Sequence, residues 1–595
     1  MDTQHLAVMA ANGAKKHDQL SAMRFKSGDA WQTITFAAAG EKMRAVAREL
    51  LALDVQSGDM VGIFSQNRPE WALADYGILM TTAVSVPIFA TNTPHQAAYI
   101  IEETEMKILF VDGQANYDKI KSLDPSPPHL QTIITFDESV ELSDENDLHF
   151  SELLARRADP SHDAEIDTRL NNASADDLAT LIYTSGTTGE PKGVMLTHAN
   201  IFHQFIAMEG SFDVNPTDRS LCFLPLSHVY ERSWSMYIFR SGAENYYLQN
   251  PREILAAMQE VQPTAMVSVP RLYEKIFATV YHKLEEGSAL KQHLFHWAIA
   301  TGTTYQAQLQ QGESIGFVLN QKHKLADKLV LSKIQQVVGG RKNFFSAGGA
   351  PLSKEIEAFF LAAGLLVCQG YGLTECSPMV SFNTPKAFKF GTVGKLIPEC
   401  EVKIADNGEI MVKGPGVMLG YYKKEEATTA VLSDGWFATG DVGEFDDDGY
   451  LRITDRIKNL IITSGGKNIA PQHIETELAK AHYIEQMIVI GDRRKFITAL
   501  IVPNFEVLES YAKENDIPFS SHEELVQHPD VIAFYRTHID YHSQELAAYE
   551  QVKQFTLLPA PFTQENGEIT PTQKLKRKVV IEKYDAAIDA MYPED

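Results

Sequence analysis

Residues 183–194 read YTSGTTGEPKGV and gather four Ser/Thr hydroxyls, three glycines and a lysine between two short apolar runs. Glycines let backbone N–H groups approach an anion, hydroxyls add donors, and a lysine adds charge. That combination handles phosphate. A P-loop is excluded: Lys192 follows Pro191 instead of a glycine, and Gly193 stands where a magnesium-holding hydroxyl would be. The following residues, Val194-Met195-Leu196, also read as a strand where a P-loop has a helix. A Thr/Gly-rich hairpin turn would account for either half of the segment, but poorly for the whole.

The segment resembles the phosphate loop of the adenylate-forming (AMP-binding) synthetases, and the resemblance continues in order along the chain. It runs through LPLSH at 224–228, QGYGLTE at 369–375, ATGD at 438–441 and TDRIKN at 454–459, and it ends with TPTQK at 570–574. Within that superfamily the sequence resembles the long-chain fatty acid–CoA ligases. The implied chemistry begins with the resistance of a carboxylate to acyl transfer. Its attack on the α-phosphate of ATP gives an acyl-adenylate, whose AMP leaves readily, and the CoA thiol then captures the acyl group. Such chemistry asks a protein for position and charge more than for covalent help.

The resemblance implies a residue for each task. Thr184, Ser185, Gly186, Thr187, Thr188, Gly189 and Lys192 would close over the β- and γ-phosphates. Glu375 would bind Mg2+, which prefers oxygen ligands, and Thr374 would donate to the α-phosphate. Gln369, Gly370, Tyr371 and Gly372 would border adenine, with the Tyr371 ring against the base, and Gly348, Ala350 and Pro351 of SAGGAP would complete that pocket. Asp441 would accept both ribose hydroxyls, and Arg456 would contact ribose and phosphate. His228 would position the carboxylate at the border of the acyl pocket. Arg232 aligns with an aromatic gate of some family members, so the gate stays unassigned, with Trp234 just downstream. Lys574 would bridge carboxylate and α-phosphate, although Gln573 replaces the usual preceding glycine and Lys576 lies within a slip of register. A domain rotation about Lys458 would withdraw Lys574 and present Ser464, Gly465, Gly466 and Lys467 to CoA. Singly, these residues have plainer readings: a Thr-Glu pair caps a helix, a lone tyrosine packs in a core, and a solitary histidine is structural. Six motifs in the expected order outweigh them.

Such residues need a scaffold. Residues 30–120 alternate helical patterns with apolar runs at 61–64, 83–87 and 108–111, as in a sheet with helices on its faces; 37–51 reads as one such amphipathic helix. Residues 140–177 are polar and acidic and read as a surface excursion. Residues 272–336 favour helix, with periodic apolar positions near Phe295, Trp297, Phe317 and Leu325, and resemble the helical insertion of the long-chain members. Beyond 455, strand-like runs at 487–490, 497–502 and 555–558 alternate with helical patterns. The expected fold is α/β. A large N-terminal adenylate-forming domain would span 1–455, with its helical insertion at about 272–336, and a small mobile α+β lid domain would span 456–595.

A chain of 595 residues exceeds what one core organises. The net charge of -25 argues against nucleic-acid partners. Four cysteines are too few for a disulfide framework and lack metal-site spacing. The first residues lack a basic segment leading into an apolar core, and no apolar stretch is long enough to span a bilayer. The expectation is a cytoplasmic enzyme with peripheral contact at the inner face of a membrane. Its substrates would be a fatty acid, ATP and CoA, with Mg2+. The absence of an attached carrier or reductase domain favours CoA as acceptor. Two other readings stay open: loading of an acyl carrier protein, and a catalytically silent nucleotide-binding regulator.

Overall fold

The computed structural model describes residues 3–28, 30–156, 159–184, 190–340, 344–464, 467–544, 546–570 and 574–592. The early apolar runs become the strands Met60–Ser65, Val84–Phe89, Ile108–Val111 and Thr132–Thr135, which pair in parallel within an eight-stranded sheet. Their side chains alternate between two cores. Ile63 and Phe110 meet Met43, Val46 and Trp71 on one face, while Phe64, Leu109 and Val111 meet Ile100 and Ile101 on the other. A strand buried on both faces needs no polar side, hence the continuous apolar runs. The amphipathic pattern forms the helix Phe36–Ala52, capped by the Thr35 side chain. It packs closely on Pro69–Met80 because Gly77 lacks a Cβ, which would lie 2.4 Å from Val46 Cγ1. The acidic stretch is less superficial than its composition suggests. It contains the helix Pro160–Asn172, which buries Ile166 and Leu170 in the first core.

The same sheet carries the phosphate hairpin. Leu178–Thr184 pairs in parallel with Val84–Phe89, and Lys192–Thr197 returns antiparallel, setting Thr184 opposite Lys192. The strand expected after the glycine-rich turn is present. Gly193 is needed there, since a Cβ would meet the Tyr183 ring at 3.0 Å. A second sheet has Ala265–Ser268, Phe344–Ala347 and Val367–Gly372 in parallel, then Met379–Phe382 and Lys395–Leu396 antiparallel. Between its first two strands run the helices Pro270–Glu285, Ala289–Gln310, Phe317–Ala326 and Ser332–Val337. A four-stranded sheet joins Arg219–Cys222 and Glu244–Tyr247 to Ser21–Ser27 and Ala30–Thr35, and an antiparallel sheet includes Trp436–Phe445 and Leu451–Arg456.

Past Arg456 the packing starts afresh. Ile484–Ile490, Thr498–Pro503 and Gln554–Leu557 form a three-stranded sheet. Its two faces bury apolar clusters around Ile474, Val489 and Leu508 and around Ile488, Leu500 and Val580, whose buried members all lie beyond residue 460. Among the described residues no helix is long and apolar enough to cross a membrane.

Candidate active site

The ends of Met60–Ser65, Val84–Phe89, Leu178–Thr184, Phe344–Ala347 and Val367–Gly372 open into one cleft of ≈ 3320 Å³, closed over by residues of the C-terminal region. Ligands of α/β proteins collect at such strand ends. The volume exceeds the roughly 300–1,000 Å³ of a site for one drug-sized molecule.

At one side of the cleft, Asp441 on Trp436–Phe445 lies opposite Arg456 on Leu451–Arg456. Arg456 Nε donates to Asp441 Oδ1 and the Tyr371 hydroxyl donates to Oδ2, both at 2.7 Å. The Tyr371 ring packs in an apolar cluster with Val194, Val380 and Val412. Burial and the adjacent Asp441 raise its pKa well above the phenol value, so it stays a donor. Orienting Asp441 is thus a role of Tyr371 beyond any contact with a base. Each Asp441 oxygen keeps lone-pair capacity for a further donor.

Val367–Gly372 leads into the short turn Thr374–Cys376, which sets Thr374 and Glu375 on the cleft wall. The Tyr421 hydroxyl donates to Glu375 Oε1 at 2.9 Å. Tyr421 pairs with Val194 of the phosphate hairpin, and the Lys192 ammonium lies 4.9 Å from its ring centre. One tyrosine therefore couples the lysine of one motif to the carboxylate of another. Gly348, Ala350 and Pro351 also line the cleft. Gly348 lies against Tyr230, where a Cβ would come within 3.1 Å of the ring. Gln369 lines the cleft as well, and its amide is bonded to Leu352: its Oε1 accepts from Leu352 N at 2.8 Å and its Nε2 donates to Leu352 O at 3.2 Å. Gln369 holds the loop that carries Gly348, Ala350 and Pro351. Gly370 and Gly372 border the cleft, and Gly372 is pressed so near the Pro378 carbonyl that a Cβ would come within 2.1 Å.

His228 caps the helix Val229–Arg240, its Nδ1 accepting from Tyr230 N at 3.2 Å. An acceptor Nδ1 leaves the proton of a neutral imidazole on Nε2. Burial, then the charge of Lys574, lowers the His228 pKa to about 4, so the ring is neutral at physiological pH. Lys574 enters the cleft from the C-terminal region and keeps a face open to it. Its pKa is lowered, by surrounding protein first and by Arg456 second, against the pull of Asp441 and Glu375. The field of Lys574 thus joins residues from four separate motifs. Lys576 borders the cleft too, but it sits just before the helix Arg577–Lys583 with no side-chain capping bond, its backbone N–H donating to Glu568 O.

Other expected residues lie elsewhere. Ser464 and Lys467 sit at the exposed tip of a hairpin between Ile461–Ile462 and Asn468–Ile469, outside the cleft lining. Lys458, by contrast, borders the cleft, exposed in the turn Ile457–Asn459 between the large body and that hairpin. Ser185, Gly186, Thr187, Thr188, Gly189, Gly465, Gly466 and Gln573 lie outside the described residues. Arg232 stands apart from the cleft altogether. It is buried and fork-bonded to Asp75 at 2.9 and 2.7 Å, with a third bond of 2.6 Å to Thr180 Oγ1. This arginine ties two helices together, and Trp234 is the residue that reaches the cleft.

Three positioning residues carry no motif of their own. Asn67 Nδ2 donates to Leu224 O at 2.7 Å and its Oδ1 accepts from Leu226 N at 2.9 Å, which pins the loop leading to His228. Glu231 Oε2 accepts from Leu224 N at 3.2 Å on the same loop. Burial raises the Glu231 pKa to about 8, so this carboxyl is largely protonated at neutral pH. Tyr421 is the third. Only Glu231 had a sequence signal, its place just after LPLSH.

Comparison with known proteins finds relatives along the whole chain. The AMP-binding enzyme family matches residues 10–422, and the AMP-binding enzyme C-terminal domain matches residues 458–595. The long-chain-fatty-acid–CoA ligase FadD15 of Mycobacterium bovis is 36% identical over 100% of both chains. The peroxisomal long chain acyl-CoA synthetase 6 of Arabidopsis thaliana is 33% identical over 95% of this chain and 82% of its own. Among solved structures, the adenylation domain of a carboxylate reductase from Mycobacterium chelonae shares the fold, with a TM-score of 0.78 at 21% identity over 99% of this chain and 91% of that one. With more than half of its length matched by one family and its full length by a relative, this chain belongs to the AMP-binding enzyme family.

Proposed function

We propose that this chain is an AMP-forming fatty acid–CoA ligase acting on long-chain acids. One observation carries the reading. Lys574, Glu375 and the Arg456–Asp441 pair face the same cleft as His228, and that cleft is also lined by Met208, Phe212, Trp234, Val267 and Phe344. A charged centre beside an apolar lining suits a substrate that joins a carboxylate to a hydrocarbon chain. The full-length similarity to ligases named for long-chain acids supports both the acid and CoA as acceptor.

In this reading Asp441 holds the ribose, oriented by Tyr371 and Arg456, while Thr374 and Lys192 with the phosphate loop hold the polyphosphate. The Glu375 carboxylate supplies the hard oxygen donor that suits Mg2+, which would neutralise phosphate charge. His228 offers a neutral N–H to the fatty carboxylate, holding it without stabilising it as an ion would. Lys574 bridges that carboxylate and the α-phosphate, supplying positive charge where negative charge gathers. Residues 456–595 act as a lid. Rotation about Lys458 then exchanges Lys574 for the hairpin of Ser464, Gly465, Gly466 and Lys467, which admits CoA. The enzyme is cytoplasmic and collects its acid by peripheral membrane contact.

The test is pyrophosphate release with ATP, Mg2+ and fatty acids of graded length, with and without CoA. Turnover that requires CoA and peaks at long chains is the expected result. Release indifferent to CoA would move the acceptor elsewhere, and no release with any acid would overturn the reading.

A further inference from the structure

Away from the cleft, two histidines and a glutamate converge where the large body meets the C-terminal region. His282 and Glu285 lie a turn apart on the helix Pro270–Glu285, and His482 lies between the helix Pro471–Leu478 and the strand Ile484–Ile490. One ligand atom from each lies within 4.8 Å of the other two. His482 Nε2 is shielded from solvent and makes no hydrogen bond among the described residues, with Glu285 Oε2 3.4 Å away. Glu286 stands 3.7 Å from His282 Nε2.

We infer that His282, Glu285 and His482 form a binding site for a divalent transition metal of the zinc class, a clip that fastens the C-terminal region in the orientation seen here. The functional part of this inference rests on the proposed lid rotation. Two imidazoles and one carboxylate are a zinc donor set that leaves a fourth position for water or Glu286. Donors about 2.1 Å from a tetrahedral ion lie about 3.4 Å apart, so small side-chain movements close the present cluster onto an ion. Other polar ties across this boundary among the described residues are single bonds: Arg271–Glu485 at 2.7 Å and Gln564 Nε2 to Thr91 Oγ1 at 2.9 Å are exposed, Gln472 N donates to Asp455 Oδ2 at 3.3 Å, and Lys480 is 3.9 Å from Glu355. A metal ligated from both sides would therefore dominate the contact. Because this orientation keeps Lys574 in the cleft, the clip would allow adenylation and impede the thioester step.

The test uses chelator-treated full-length protein titrated with Co2+ and followed by visible absorption, with Zn2+ as competitor. A tetrahedral-type Co2+ band displaced by Zn2+ is expected. His282→Ala, His482→Ala and the exposed, fold-sparing Glu285→Gln should each weaken binding, the histidine changes by more than about 100-fold, whereas His293→Ala should not. Zn2+ should slow thioester formation from supplied acyl-adenylate but spare adenylate formation. The His482→Ala protein controls for zinc taken up by the CoA thiol. No band, or a band indifferent to His282, Glu285 and His482, overturns the site. Equal effects on both half-reactions, or none, overturn the clip. Absence of pyrophosphate release would strike the proposed function alone, because the Co2+ band is read without substrate.

Discussion

Arg456 and Asp441 face each other on adjacent strands, with the guanidinium Nε 2.7 Å from Oδ1. The carboxylate proposed to hold ribose is thus fixed by the residue that ends the large body's last strand, two positions before the proposed hinge at Lys458. A hydrogen bond to a charged acceptor is worth about 1.5–3 kcal/mol. Asp441→Asn should raise the KM for ATP at least about 10-fold while leaving that for the fatty acid unchanged. Steady-state kinetics with each substrate varied measures this, and an equal rise in both constants would refute a ribose role.

Lys574 and Lys576 both line the cleft, and Lys574 is the lysine proposed to bridge carboxylate and α-phosphate. Lys574→Ala should slow adenylate formation by roughly 100-fold or more, the scale of losing one electrostatic donor. Thioester formation from supplied acyl-adenylate should persist, and Lys576→Ala should leave both steps near wild type. Stopped-time assays of each half-reaction decide it. The reverse ranking of the two lysines would shift the register by two residues.

Lys458 lies exposed in the short turn joining the two bodies. Proline there fixes φ, so Lys458→Pro should preserve adenylation and impair the thioester step. Loss of both half-reactions, or of neither, would remove the hinge assignment.

Two buried groups beside the loop 224–228 make stability depend on pH in opposite senses. Glu231 has its folded pKa raised from 4.5 to about 8, so its contribution is complete below 4.5 and is lost as pH rises through 8. His228 has its folded pKa lowered from 6.5 to about 4, so its contribution is complete above 6.5 and is lost as pH falls through 4. Glu231→Gln should gain in Tm relative to the wild type as pH rises from 4.5 to 8. Paired thermal melts across that window measure the gap, and a constant gap would contradict a protonated Glu231.

The buried fork between Arg232 and Asp75 is structural. Arg232→Leu should cost about 3–5 kcal/mol by stranding a buried carboxylate, and adding Asp75→Ala should recover much of that loss. Urea unfolding gives both numbers. A changed acyl-length preference in the folded single variant would instead revive a gating role.

The sequence by itself determined the strand–helix alternation, the phosphate hairpin and the order of the motifs, because periodicity, glycine placement and hydroxyl clustering are local properties. Its resemblance to the adenylate-forming synthetases singled out Lys574, Glu375 and Asp441. Only the tertiary structure decided their partners. Tyr421 reaching Glu375 and Tyr371 reaching Asp441 are contacts between distant segments, the charge of Lys574 acts on His228 across the cleft, and no local pattern encodes any of these. Gln369 and Arg232 mark the same boundary. Both stand in or beside motifs, yet one amide spends its bonds on Leu352 and one guanidinium spends its charge on Asp75. A side chain's chemistry is set by its residue type, but what it is free to do depends on which buried neighbour satisfies it first, and that is settled only when the chain is packed.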